Sequence, residues 1–225
     1  MSYRSTDNNE EALRAEVNRV KAVVFDLDGT LVDTVPLHVM SWIETCRRLN
    51  LPIPPMDYVQ SLMGLRALDI ARLLCGDENA EAALRIKNEV YLSLINNARP
   101  MNNALEVLRT LKERGFMVGI VTSSSRHVAL KVLEVTGLIR YVDAIVAGDD
   151  VERGKPSAEP LLKLLSMWGL GVDEVVVVGD SRYDVDMARN AGVNAVFLLG
   201  GSGNSHVVGI KDLADILRFI LRNQF

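Results

Sequence analysis

No apolar run in this chain of 225 residues is long enough to cross a bilayer, so a membrane-spanning helix is not expected. Cysteine is nearly absent. Cys46 and Cys75 are the only two, and no Cys-x-x-Cys pair occurs, which excludes a disulfide framework. Both fall in helical-looking segments and read as packed free thiols in a reducing compartment. A basic excess is also missing. The 25 Lys and Arg against 29 Asp and Glu give a net charge of -4, which argues against a nucleic-acid surface. The stretch Met1 to Glu11 is polar and acidic rather than signal-like, so a cytoplasmic location is expected. Internal repeats and low-complexity tracts are lacking too. Neither nucleic acid nor membrane is expected as a partner, and the chain is expected to be a monomer or a weak homodimer.

What is present is ordinary for a globular protein: 48% hydrophobic and 24% charged residues, with a length enough for one large domain or a core with an appendage. The most informative stretch runs from Ala22 to Thr30. Ala22 to Phe25 is a continuous valine-rich run and predicts a strand buried on both faces. Asp26 and Asp28 follow it two apart, so they lean to one side, where two like charges repel and lose hydration. Such a pair calls for a cation, a proton or a reaction.

The rest of the chain divides in two. Pro36 opens a helix over 37–51, and from Met56 to Ala98 only helical spacing is found. After Arg99-Pro100 helices and strands alternate: helix 105–113, strand 116–122, helix 127–136, strand 144–147, helix 159–168, strand 175–179, helix 182–191, strand 195–199 and a closing helix 213–221. This predicts an α/β fold, a Rossmann-like parallel sheet flanked by helices with an inserted all-helical cap. The expected division is a tail or short helix over 1–19, a core over 20–34 and 101–225, and a cap over 35–100.

Active sites of such sheets lie beyond the carboxyl ends of the strands. The first strand delivers Asp26 and Asp28 there, and the second Thr122 with Ser123, Ser124 and Ser125. The third leads to Asp149, Asp150 and Gly154-Lys155-Pro156; the fourth delivers Gly179-Asp180 and then Asp184. Carboxylates, hydroxyls and one lysine at one edge suit a divalent cation and a phosphate. Mg2+ takes oxygen ligands, which Asp26, Asp180 and the Asp28 backbone carbonyl can supply. Thr122 can hold phosphate oxygens, Lys155 supplies fixed positive charge, one carboxylate can attack phosphorus, and its neighbour can move the proton. Each residue also has a plainer reading: strand-end acids in solvent, a hydroxyl capping a helix, a surface lysine.

The run Phe25-Asp26-Leu27-Asp28-Gly29-Thr30-Leu31-Val32-Asp33-Thr34 resembles the first motif of the haloacid dehalogenase-like hydrolases. Thr122, Gly154-Lys155-Pro156 and Gly179-Asp180 through Asp184 resemble the other three, in that family's order. The resemblance implies Asp26 as nucleophile, Asp28 as general acid and base, and Thr122 with Ser123 on the phosphate. It further implies Lys155 as charge neutraliser and Asp180 and Asp184 holding Mg2+, directly or through water. The insertion resembles the family's small helical cap. Related caps suggest His38 and Arg66 as substrate contacts, and Lys87 sits where some relatives place a cap lysine.

These readings predict a Mg2+-dependent phosphatase acting on a small phosphorylated metabolite, similar to phosphoglycolate phosphatases. The alternatives are a phosphoglucomutase-type enzyme of the same branch and, from another class, a phospho-receiver domain, against which the helical insertion speaks. Two near-misses are rejected. The glycines of Gly148 to Lys155 have five residues between them rather than four, with Pro156 where a phosphate-binding loop needs Ser or Thr. The stretch Gly201 to His206 lacks the last glycine of a dinucleotide fingerprint and reads as a rim loop after the last strand. Finally, relatives often carry a glycine soon after the proline at the return hinge. Pro100-Met101-Asn102-Asn103-Ala104 has none, leaving asparagine to supply any positive φ.

Overall fold

The computed structural model describes residues 19–203 and 207–221. The tail or short helix expected over 1–19 therefore falls almost wholly outside the described residues, as does His206.

The first strand, β1 (Ala22–Phe25), is followed by a two-residue strand β2 (Val32–Asp33) and four helices: α1 (Val35–Arg48), α2 (Met56–Ser61), α3 (Ala67–Cys75) and α4 (Ala80–Leu94). A second short strand, β3 (Arg99–Pro100), brings the chain back. Then come α5 (Ala104–Glu113), β4 (Met117–Val121), α6 (Arg126–Val135), β5 (Ala144–Val146), α7 (Glu159–Trp168), β6 (Val175–Gly179), α8 (Arg182–Ala191), β7 (Val196–Leu199), β8 (Val207–Ile210) and α9 (Ala214–Leu221). Six strands form one sheet in the order β5-β4-β1-β6-β7-β8, and every pair in it is parallel.

Strand β1 sits between β4 and β6 with all four residues buried, which is why it reads as an unbroken apolar run. Val23 and Phe25 pack with α5, α6 and α9 on one face of the sheet; Ala22 and Val24 pack with α7 and α8 on the other. The result is a three-layer Rossmann-like α/β core. Helices α1 to α4 form a separate lobe with its own apolar centre: Val39, Trp42, Cys46, Val59, Ile70 and Ala71. Complete burial of a side chain such as Val59 contributes about 1.5–3 kcal/mol. The thiols Cys46 and Cys75 are both buried there and free.

Three details differ from expectation. Helix α1 stops at Arg48 rather than residue 51, because Asn50 turns left-handed with φ 55°. The sheet gains β8, so the rim loop after β7 joins two strands instead of following the last one. The two chain crossings between core and lobe pair as an antiparallel ladder, Val32 with Pro100 and Asp33 with Arg99. At the return hinge Asn103 takes φ 60°, the left-handed conformation usually supplied by glycine, and its side-chain amide donates to Asp212 at 2.8 Å. Among the described residues no helix is long and apolar enough to cross a membrane.

Candidate active site

The carboxyl ends of β1, β4 and β6 converge on one cleft, roofed by the helical lobe. Asp26 directly follows β1, and its N–H donates to the Val178 carbonyl at 2.9 Å, which extends the ladder into the site. Its carboxylate meets Lys155. The ammonium donates to Asp26 Oδ1 at 2.5 Å and to Asp184 Oδ1 at 2.6 Å, and all three side chains are almost fully buried. Burial opposes the lysine's charge, but Asp184 and Asp26 outweigh it and hold its pKa above the ordinary value.

Asp180 completes the cluster. Oxygens of Asp26, Asp180 and Asp184 lie within 4.8 Å of one another. Burial drives the Asp26 carboxyl well above the ordinary range, with Lys155 pulling the other way and Asp184, Asp180 and Asp28 adding to the rise. Burial and the neighbouring Asp184 push Asp180 up to about 6, against the hydroxyl of Thr30, which donates at 3.1 Å. Three crowded acids facing one ammonium remain short of positive charge. That deficit, with an all-oxygen donor set, fits a hard divalent cation. The local backbone agrees: Gly29 has φ 90°, and a Cβ there would lie 2.3 Å from Asp180 Oδ2, so the turn after β1 admits no side chain.

Asp184 has two tasks. Its second oxygen accepts the N–H and the hydroxyl of Ser181 at 3.1 and 2.6 Å, closing a capping box at the start of α8. The N-cap is thus Ser181 rather than Asp180, which leaves Asp180 facing the cleft.

Asp28 turns away from this cluster. Thr34 donates to Oδ1 at 2.7 Å and His38 Nε2 lies 2.9 Å from the same oxygen. Ser124 and Thr122 donate to Oδ2 at 2.8 and 3.3 Å. Burial alone would raise its pKa, but His38 and the hydroxyls reverse the sign and hold the carboxyl well below the ordinary range. The carboxylates of the two aspartates that sequence places side by side therefore do not converge on one point. Asp28 is not in the carboxylate cluster, so only its backbone carbonyl remains for the metal role expected of it.

His38 is buried on α1 and stacked on Tyr91 of α4, with ring centroids 4.2 Å apart. Burial and the charge of Lys87 lower its pKa against the pull of Asp28. The Tyr91 hydroxyl is buried without a hydrogen-bond partner. Lys87 is 1% exposed and lines the cleft, with its ammonium 4.7 Å from the Tyr91 ring centre and 5.8 Å from that of Trp42. Burial lowers its pKa to about 8, against the attraction of Asp28. The rest of the roof is apolar: Val35, Trp42, Met63, Leu65 and Ile70.

Ser123 lines the cleft, and its hydroxyl donates to the Gly64 carbonyl of the lobe at 2.6 Å. Arg66 is placed otherwise than expected of a substrate contact. Its three nitrogens are taken by Asp69 and by backbone carbonyls of the loop after β5, so the guanidinium faces the core loop instead of the cleft. Sequence reading did not assign Thr34, Ser124, Thr30 or Tyr91. Thr34 and Thr30 lie within the first motif, and Ser124 two residues after Thr122, so proximity was the available signal. For Tyr91 there was the spacing Lys87/Tyr91 on one helical face.

Residues 23–198 match the family model for haloacid dehalogenase-like hydrolases, and the chain belongs to that family. It is 33% identical over 178 residues to pyrophosphatase PpaX of Halalkalibacterium halodurans, covering 77% of this chain and 81% of that protein. It is 32% identical over 223 residues to a phosphoglycolate phosphatase of Mannheimia succiniciproducens, covering 90% and 99%. A beta-phosphoglucomutase structure from Clostridium difficile superposes with TM-score 0.79 over 91% of this chain and 96% of that one; at 20% identity this likeness is one of fold.

Proposed function

We propose that the protein is a Mg2+-dependent phosphatase that hydrolyses a small phosphate monoester through an aspartyl-phosphate on Asp26. The observation that carries this reading is the Lys155 ammonium shared by Asp26 and Asp184, with Asp180 beside them at the floor of a roofed cleft. The chain is a hydrolase of the phosphoric-ester type, as its named phosphatase relatives are. Asp26, Asp180, Asp184 and the Asp28 backbone carbonyl would hold the cation, whose chemistry is to neutralise phosphate oxygens.

Asp26 forms a bond to phosphorus as the ester P–O bond breaks. The leaving oxygen takes a proton from Asp28. Water then attacks phosphorus, its proton returns to Asp28, and Asp26 is released as carboxylate. Asp28 rests ionised, ready for the second half; the proton it donates in the first is taken up as the substrate enters. Thr122 and Ser123 hold phosphate oxygens and Lys155 offsets their charge. His38 orients Asp28. Lys87 supplies an unpaired charge in an otherwise apolar roof, which favours a leaving group that carries a negative charge of its own. The enzyme works in the cytoplasm as a monomer or weak homodimer.

Phosphate release from phosphoglycolate, pyrophosphate and hexose phosphates, with and without Mg2+, tests this reading. Asp26→Asn should lower kcat at least about a thousandfold. Wild-type turnover in that variant would remove Asp26 as nucleophile. A requirement for a bisphosphate with little phosphate released would make the protein a mutase.

A further inference from the structure

Arg66 stands at the N-terminal boundary of α3, in the stretch of the lobe that meets the core. Its Nε and Nη2 donate to the two oxygens of Asp69 at 3.1 and 3.0 Å. This fork fixes the guanidinium plane and leaves Nη1 to reach across. Nη1 donates to the carbonyl of Glu152 at 2.6 Å and lies 3.4 Å from that of Val151.

The core loop is shaped to receive it. Glu159 accepts the N–H of Glu152 at 2.8 Å and of Arg153 at 3.1 Å. In a trans peptide the carbonyl of residue 152 points opposite to the N–H of residue 153. Gripping that N–H from the α7 side therefore aims the Glu152 carbonyl at the lobe. Glycines flank the landing point. A Cβ on Gly154 would lie 3.0 Å from Arg66 Cβ, and one on Gly148 3.3 Å from Arg66 Cγ. The arginine stem thus lies across two bare stretches of backbone, and Lys155 directly follows the second. Beside it, Ser123 accepts the Ala67 N–H at 3.3 Å through its carbonyl and donates to Gly64 through its hydroxyl.

We propose that Arg66 is a latch. It holds the helical lobe closed on the core and, through the loop it grips, sets the backbone from which Lys155 reaches Asp26 and Asp184. It is a positioning residue, and closure of the roof and placement of the neutralising lysine become one event. The kinetic part of this inference rests on the phosphatase reading above; the structural part does not.

Two measurements test it. The first is hydrogen exchange of the substrate-free protein. Arg66→Ala should speed exchange in segments 63–67 and 148–154 together by about tenfold, with β1, β4 and β6 unchanged. Unchanged exchange in those two segments overturns the latch. The second is the rate on two esters, phosphoglycolate with its anionic leaving group and p-nitrophenyl phosphate without a carboxylate. A latch acts alike on both, so Arg66→Ala should lower kcat/KM by about tenfold on each. Arg66→Lys, which keeps one donor, should recover part of that loss. A loss confined to phosphoglycolate would show that Arg66 reads the substrate, and would overturn the inference. Asp69→Asn, which loosens the fork without emptying the space, should show the same exchange pattern more weakly and serves if Arg66→Ala does not fold. A wild-type protein that releases phosphate from none of phosphoglycolate, pyrophosphate, hexose phosphates and p-nitrophenyl phosphate would end the phosphatase reading, while the exchange result would still judge the latch.

Discussion

The core and the helical lobe each bury one lysine at the same cleft, and they hold it in opposite ways. Lys155 is 3% exposed and lies between two carboxylates at hydrogen-bond distance. Lys87 is 1% exposed and has aromatic rings for neighbours; among the described residues no carboxylate forms an ion pair with it. The first has its charge balanced before any ligand arrives. The second carries a charge the fold leaves open. A buried unpaired cation lowers stability, and a protein keeps one where a ligand completes it. The difference separates two uses of the same side chain: building the reaction centre, and waiting for what enters.

The largest expected effect breaks the core side of this contrast. Lys155→Met leaves Asp26 and Asp184 buried without their cation. It should lower the stability of the metal-free protein by about 3–5 kcal/mol, read by urea or thermal unfolding, and stop turnover. Equal stability of variant and wild type would mean that the ion pairs are not formed in solution.

Lys87→Met should act with the opposite sign. At pH 7 the variant should be more stable than wild type by about 1–3 kcal/mol, because a charge held at a depressed pKa is removed. Below about pH 8 folded and unfolded chains both carry the Lys87 proton, and the folded state bears the full cost of burying it. Between there and the unfolded value near 10.5 the folded chain has lost the proton and the unfolded one has not, so wild-type stability rises with pH. The advantage of the variant should therefore shrink across that window. The same variant should raise KM for a carboxylate-bearing ester more than for p-nitrophenyl phosphate. A variant less stable than wild type at pH 7 would erase the contrast between the lobes.

A smaller effect concerns the acids. Mg2+ should stabilise the protein at pH 7.5 by about 1–2 kcal/mol at modest excess over its Kd, and by less at pH 5.5. Asp180 is pushed up to about 6 and Asp26 also lies high, so protons compete for the same oxygens in acid. A thermal shift independent of pH would place the cation elsewhere.

Most of the fold was legible because strands and helices of the core carry strong, different periods. Strand β8 escaped: it is four residues long, contains Gly209, and follows a glycine-rich loop, so its apolar residues look like loop edges. The β2–β3 ladder is a backbone pairing without side-chain pattern. At the site, residues at strand ends were readable since the topology decides where they go. The direction of Asp28 was not, because it depends on the α1 start bringing Thr34 and His38 to it. The partner of Arg66 was not readable either. It is a main-chain carbonyl, and any residue type at position 152 would present the same atom.

The placement of β1 has a consequence for how the molecule is made. Its hydrogen-bond partners are β4 and β6, which leave the ribosome only after the whole helical lobe has been synthesised. The lobe has its own apolar centre and can collapse as it emerges. The strand that leads into Asp26 precedes the lobe in the chain yet finds its neighbours only after the lobe is complete. Until residue 121 is available it remains an unpaired, valine-rich segment, and one of its edges stays open until residue 179 follows, which makes it a part of the nascent chain exposed to aggregation.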